Sequence, residues 1–562
     1  MSAGGAMAEE ASVQHHIQSE EYPQRPWLLA GLGAAAGLIV HLLLDGEGEA
    51  AWRYALAATV FFSAAASSFV LGPGRWIESA LFSLCLGVVM GGLAWLAVDS
   101  GDRVAGEEFA FAAGVFFSLL AVPLYQADFH RKRWMTPYKE THFHVWTDAV
   151  TAGGSVLFVL LSWLLLWLLH ALFSLIGINF IEDMIETSGF VGLFCGATFG
   201  AAMGVLRNQL GIIGTLQRVV MLVFSLLAVP FAFAILIFLV ALLASGGRAL
   251  WEATDSATPV LLSCSLGCFI LANAVVRDND EARSDNVVMV AAALALAFTI
   301  FPLTAFAAIS MGIRIDQHGL SPERLWALVA IMIACSYGLA YWAGLARGRL
   351  AGWSHYLRRA NLHLAVASCV IALLLALPLV DFGGISARQQ VARLDAGEVS
   401  PEEFDYAALR WDFGDAGRDV LAALARREGV TGDLATNALA RKSRYPELAG
   451  RPRDDFDLTI KFEDAQLEKW ARDHVQTNPW LCDRDCVVLD LGQASDRHKV
   501  AFVSAGRMEI VSFRDDGVPD PPPPPPAPPP PDAQITPENV EIREWQGRQI
   551  YVDGQPVGNP FP

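Results

Sequence analysis

Between Trp27 and Val380, runs of about 20 predominantly apolar residues alternate with short polar connections. A helix of that length rises ~30 Å, the thickness of a bilayer's hydrocarbon core. The pattern predicts spans over Trp27–Leu44, Ala51–Leu71, Trp76–Val98 and Glu108–Gln126, then over Ser155–Ile176, Gly189–Leu206, Val219–Ala244 and Pro259–Val276. Val287–Ile309, Leu325–Ala346 and Leu362–Val380 bring the total to about 11. No comparable run follows Asp381. The expected fold is an all-α polytopic membrane bundle with a small extracytoplasmic α+β C-terminal region.

The connections alternate in charge. One set holds Arg75, then Arg131, Lys132, Arg133 and Lys139, then Arg207 and Arg218, then Arg277 and Arg283, and last Arg347, Arg349, Arg358 and Arg359. The other set is poor in base. Basic connections stay cytoplasmic, so the N-terminus is expected in the cytoplasm and, after an odd number of crossings, the tail in the periplasm. The first 26 residues are acidic, with Glu9, Glu10, Glu20 and Glu21, and lack the basic region of a cleaved signal peptide. The first span is therefore expected to remain as a signal anchor.

Composition supports the same class. Hydrophobic residues make up 54% and charged residues 17%, with a mean hydropathy of +0.38, whereas soluble domains carry about a quarter charged residues. The formal charge is −18, and acids outnumber bases both before and after Val380, so no nucleic-acid partner is expected. Cys85, Cys195, Cys264, Cys268, Cys335 and Cys369 fall in apolar spans and read as small packing residues. Cys482 and Cys486 stand four apart in the tail and form a candidate disulfide if the tail is in an oxidising compartment. The alternative, half of a metal site, lacks a second ligand pair nearby.

The spans read as nearly free of ionisable groups, which argues against an ion-coupled pump. Glu78 lies one turn into its helix, His41 and His363 lie near helix ends, and His170 is the one polar ring well inside an apolar run. His170 reads either as a neutral ring bonded to a neighbouring helix or as a substrate or proton contact. In the sixth span Gly192, Gly196, Gly200 and Gly204 line one face, with Ala197 and Ala201 beside them; Gly33/Gly37 and Gly87/Gly91 repeat the spacing. Such stripes admit close helix packing within the chain, a homo-oligomer contact or a moving gate. Asp128–Asp148 interleaves bases with Trp134, Tyr138 and Trp146. It reads as an interfacial segment against the lipid bilayer, the alternative being a metal site through His130, His142 and His144.

No phosphate loop, nucleophile elbow or zinc helix is present, so no catalytic residue, metal or cofactor is expected. The most polar connection is Arg314–Arg324. Ser321, Pro322 and Glu323 suit a helix start, while Arg314, Asp316, His318 and Arg324 form a candidate polar binding loop. Beyond the bundle, Ser400-Pro401-Glu402-Glu403 reads as a capping box opening a helix. Cys486–Leu491, Lys499–Ser504 and Arg507–Phe513 read as strands. Pro521–Pro531, interrupted only by Ala527, is a polyproline spacer of ~34 Å. Val540–Trp545 and Gln549–Val552 read as a second hairpin, ended by Asp553-Gly554.

The domain plan is an N-terminal tail over 1–26, the bundle over 27–380 and a short-helix segment over 381–450. A β-rich module over 451–517, a spacer over 518–537 and a hairpin over 538–562 follow.

The 314–324 connection, together with Arg388, Arg393-Leu394, Gly397, Ser400-Pro401, Phe404-Asp405-Tyr406, Leu409-Arg410 and Gly414, resembles the bacterial domain-of-unknown-function family numbered 4153. The resemblance covers roughly Trp27 to Glu428. It implies a multi-pass inner-membrane protein, and it supplies no activity and no catalytic residues. The expected function is a non-enzymatic envelope scaffold or sensor whose tail meets a periplasmic protein or cell-wall component. The alternative is a transporter or lipid-handling permease that uses the bundle; a membrane enzyme ranks last.

Overall fold

The computed structural model describes residues 22–45, 50–246, 257–281, 283–441, 444, 458–462, 464–477, 486–494, 497–504, 507–514, 548–552 and 555–561. The chain divides into two units, residues 1–439 and 440–562.

Among the described residues, 11 helices are long and apolar enough to cross a membrane. They are α1 (Arg25–Leu44), α2 (Ala51–Val70), α3 (Trp76–Ser100), α4 (Glu107–Gln126), α5 (Tyr138–Ser174) and α6 (Phe190–Asn208). After them come α7 (Leu210–Ala244), α8 (Thr258–Val276), α9 (Val287–His318), α10 (Pro322–Arg349) and α11 (Gly352–Ala376). The protein is a multi-pass membrane protein.

Several helices begin or end beyond their apolar stretches, α11 among them, at Gly352 rather than Leu362. Helix α5 starts at Tyr138 rather than Ser155, α7 at Leu210 rather than Val219, and α9 runs to His318 rather than Ile309. Hydropathy marks only the part of a helix that meets hydrocarbon, and polar residues can continue the same backbone ladder past it. Two expectations change as a result. Residues 138–148 are not a separate interfacial segment but the head of a span. The 314–324 connection shrinks to Gly319, Leu320 and Ser321, because Arg314, Asp316 and His318 sit on the last turns of α9.

Glycines set the closest helix contacts. A Cβ on Gly33 of α1 would lie 2.0 Å from the Gly196 carbonyl oxygen of α6, and one on Gly200 would lie 2.0 Å from that of Leu29. Gly204 faces Pro26 in the same way. Gly87 and Gly91 of α3 take the hydroxyls of Ser63 and Thr59 on α2 where a Cβ would stand. The largest apolar core joins α7 to α11, around Ala228, Leu261, Leu296, Ile300, Leu303, Tyr341 and Trp353.

Past α11, a cap of short helices belongs to the first unit. These are α12 (Phe382–Asp395), α13 (Tyr406–Trp411), α14 (Gly414–Leu424) and α15 (Val430–Ala440). They share a core of Ala387, Leu394, Phe404, Leu409, Phe413, Leu421 and Ala435.

In the second unit, β1 (Leu458–Ile460), β2 (Cys486–Ala494), β3 (Arg497–Ser504) and β4 (Arg507–Arg514) form a sheet in that order. Strand β1 is parallel to β2, and the other pairs are antiparallel. Helix α16 (Ala465–Thr477) lays Leu467, Ala471 and Val475, spaced one turn apart, on Val488, Val500, Phe502 and Phe513. The last hairpin pairs β5 (Arg548–Val552) with β6 (Gln555–Phe561), so a partner strand follows Val552. Residues 540–545 lie outside the described residues.

Candidate functional site

The polar chemistry of the bundle gathers at the head of α5. Pro137 sets an extended backbone before the helix, and Glu140 in the first turn complements its dipole. One face of this head is buried and polar: Thr141, His142, Thr147, Thr151 and Ser155. Two of the hydroxyls turn back on their own helix, Thr151 to the Thr147 carbonyl and Ser155 to the Thr151 carbonyl, each at 2.8 Å. A hydroxyl bonded this way is buried without an external partner. Thr147 reaches across to the Gln217 side-chain oxygen on α7, at 3.3 Å.

On one side of the head lies a four-helix knot. The Asn273 amide of α8 donates to the Tyr341 hydroxyl of α10 at 2.7 Å, and that hydroxyl donates to Asn361 Oδ1 of α11 at 2.9 Å. Asn361 Nδ2 donates to Asn273 Oδ1 at 2.7 Å and to the Tyr138 hydroxyl of α5 at 3.2 Å. Tyr341 is fully buried, and both asparagines are 6% exposed. A closed ring of this kind satisfies its own donors and acceptors, which makes it affordable in an apolar interior.

One helical turn before Asn361, Arg358 is buried and donates to the carbonyls of Arg277 and Val276 at 3.1 and 3.0 Å. It thereby caps the C-terminus of α8. It also donates to Asp280 at 2.9 Å, and Ser354 donates to the same oxygen at 2.8 Å. The Ser354 bond, and after it the Arg358 guanidinium, hold the Asp280 carboxyl below the usual carboxylate range against the opposing pull of burial.

On the other side of the head, Gln126 at the end of α4 donates to the Phe69 carbonyl at 3.1 Å and to Asp148 Oδ1 at 3.2 Å. Arg207 of α6 donates to the Ser68 carbonyl at 2.8 Å. Arg25 of α1 donates to the Arg207 carbonyl and to Asn208, both at 3.0 Å, which ties the start of α1 to the end of α6. An acid and an amide thus face inward on helices that the apolar pattern presents as clean.

The model of a domain of unknown function, DUF4153, matches residues 54–424. The chain belongs to this family. No curated protein and no solved structure matches it. The DUF4153 region runs from α2 through α14, so it includes the whole of the knot and most of the cap, while α1 and the second unit lie outside it.

Arg324, Arg393 and Gly414 of the DUF4153 resemblance share a structural task with Gln389, Gln390 and Arg418. Arg393 of α12 donates to the carbonyls of Asp316 and Gln317 at 2.9 and 3.1 Å, and Gln390 donates to those of His318 and Leu320, both at 2.9 Å. Gln389 accepts from the Leu320 amide at 2.8 Å. Arg324 donates to Gly319 and His318 carbonyls at 2.6 and 3.3 Å. The α9–α10 turn is therefore held from both sides. Arg418 of α14 donates to the Asp102 carbonyl at 2.8 Å, and Gly414 abuts the Arg103 carbonyl, which fixes the cap to the α3–α4 turn as well.

The four residues of the candidate binding loop differ in their surroundings. Arg324 turns inward to those carbonyls, Arg314 is half-buried, and Asp316 and His318 are exposed. Beside this turn a small cavity is lined by Leu96, Phe111, Leu377 and Phe382, with Glu107 and Trp326 at its wall. Glu107 Oε1 and Trp326 Nε1 are buried and have no hydrogen-bond partner among the described residues.

His130 stacks on Tyr125, His142 turns toward Tyr138 and Trp146, and His144 meets Phe143, so the three imidazoles point different ways. Among the described residues no group of three His, Cys, Asp or Glu is placed to hold a metal ion. Glu78 pairs with Arg131 at 2.6 Å, and His170 stands edge-on to Trp167. Cys486 opens β2 and is fully buried, while Cys482 lies outside the described residues.

Proposed function

We propose that the protein is a non-enzymatic scaffold or sensor of the bacterial inner membrane, with its N-terminus in the cytoplasm and its cap and tail in the periplasm. One observation carries this reading. Arg393, Gln390 and Arg418 fasten the cap, the segment that leads into the tail, to two separate turns at the same end of the bundle. The basic connections, from Arg75 to Arg359, support the orientation.

The test compares two defects in a strain lacking the native protein. A chain ending at Ala440 should keep a folded bundle and lose the ability to restore the strain's envelope phenotype. Full restoration by that truncated chain would sink the scaffold reading.

A permease is the second reading, favoured by Asp148, an acid turned into the bundle where only function justifies its desolvation. Flux of a substrate in proteoliposomes, abolished by Asp148→Ala and unaffected by truncation at Ala440, would place this reading first.

A further inference from the structure

The junction of α2, α4 and α5 contains an imbalance of donors and acceptors. Both N–H groups of the Gln126 amide are used, one on the Phe69 carbonyl and one on Asp148 Oδ1. Gln126 Oε1 and Asp148 Oδ2, the remaining oxygens of the same two side chains, are both buried without a partner among the described residues. Reversing the amide would not help. The Phe69 carbonyl and the carboxylate can only accept, so the amide nitrogen must face them.

Two buried acceptors left over on side chains already joined at their other edge call for one donor. A single proton provides it. With Oδ2 protonated, the O–H donates to Gln126 Oε1 while Nε2–H continues to donate to Oδ1. The result is a closed acid–amide pair with every polar atom satisfied. The proton comes from water and returns to it, and no other bond changes.

The surroundings contain few competing charges. Arg207 of α6 is a cation on this side, its NH1 bonded to the Ser68 carbonyl, and Arg25 of α1 bonds the Arg207 carbonyl and Asn208. Pairing Asp148 with Arg207 would still leave Gln126 Oε1 without a donor. Helix α7 presents the uncharged Gln217, which bonds Thr147. Asp128, just past α4, is paired with Arg75 at 2.5 Å and approached by Lys132. On α5 itself the nearest titratable ring is His144.

We propose that Asp148 is a proton-binding site, held as the neutral acid edge to edge with the Gln126 amide, and that losing the proton opens the contact between α4 and α5. This holds whether the bundle serves as a scaffold or a permease. In a sensor the site reads pH, and in a permease it carries the coupling proton.

The test is infrared spectroscopy of the full chain in lipid nanodiscs as the pH is raised from acid to alkaline. A protonated-carboxyl band should be present at neutral pH, vanish in Asp148→Asn and shift in Gln126→Leu. The asparagine preserves the pair, since its amide can donate to Oε1. Its melting temperature should therefore lack the fall that the wild-type value shows as the pH rises from the ordinary carboxyl range through the value at which the folded protein gives up the proton. A neutral-pH spectrum without the band overturns the proposal, as does a band that Gln126→Leu leaves unshifted if Asp148→Asn fails to fold. Stability that tracks sodium or potassium concentration with no carboxyl band would instead assign the two oxygens to a bound cation, and would also overturn it.

Discussion

Gly37 of α1 and Gly192 of α6 stand backbone against backbone: a Cβ on Gly37 would lie 1.9 Å from the Gly192 carbonyl oxygen, and one on Gly192 would lie 2.5 Å from that of Gly37. Neither oxygen belongs to a side chain that could move aside, so any larger residue must separate the helices. Gly37→Ala and Gly192→Ala should each cost about 1–3 kcal/mol, the usual range for overpacking. Gly31→Ala on the same helix, where nothing among the described residues lies within 4 Å, should be neutral or slightly stabilising. Unfolding in mild detergent checks all three. Equal effects at Gly31 and Gly37 would contradict the close approach.

The knot gives a second prediction. Tyr341→Phe removes a hydroxyl that both accepts from Asn273 and donates to Asn361, leaving two buried amide groups short of a partner. The cost should be about 1–3 kcal/mol. Asn361→Ala should cost a similar amount, and the double variant much less than the sum, because the residues share one ring. A double-mutant cycle measured by denaturant unfolding decides this; strict additivity would mean the ring does not act as a unit.

Asp280 gives the pH dependence. Its folded-state pKa lies below the ordinary value of 3.8, through Ser354 and Arg358. Its contribution is therefore fully present above 3.8 and lost as the pH falls through the folded-state value. The carboxyl is 63% exposed, so screening keeps the effect under about 1 kcal/mol. Asp280→Asn should melt slightly earlier than wild type at neutral pH. Its curve should converge on the wild-type one in acid, as followed by thermal unfolding across pH.

The spans were legible because membrane burial is written in apolar length, a signal that needs no knowledge of neighbours. The knot was not, because Asn273, Tyr341 and Asn361 share no local spacing and become a site only when α8, α10 and α11 are packed. The α5 face had a signal that went unread. Thr141, Asp148 and Thr151 recur at helical intervals that lead to Ser155, but they precede the apolar stretch and resemble part of a loop. Reading the spans as free of acids missed Asp148 for the same reason. The glycine spacing on α1 and α6 was visible in both helices, while their pairing with each other depends on which helices become neighbours.

Arg393 links the cap to the bundle, and its removal should loosen one without unfolding the other. Its side chain is 10% exposed and donates to two carbonyls at the end of α9 as well as to Glu398 at 3.2 Å. Loss of these charge-assisted bonds should cost about 1.5–3 kcal/mol, localised to α12–α15. Hydrogen exchange of Arg393→Ala should show the cap amides exchanging faster while those of α8 to α11 stay protected. Uniform loosening of both would show that the cap and bundle unfold as one cooperative block.

The cap also tests the crossing count. It follows α11 and is fastened to the turns after α3 and α9, so three odd-numbered helices end on one face. That agreement requires an even number of crossings between each pair, which 11 traversing helices supply. Asp316→Cys, exposed at the end of α9, and Lys139→Cys, exposed at the start of α5, should then lie on opposite sides of the membrane. With an impermeant thiol reagent applied to spheroplasts, Asp316→Cys should be labelled directly and Lys139→Cys only after permeabilisation. The reverse pattern would keep the count and invert the orientation, placing the cap and tail in the cytoplasm. Labelling of both without permeabilisation would mean that one of α5 to α9 does not cross, because the two sites are separated by five helices.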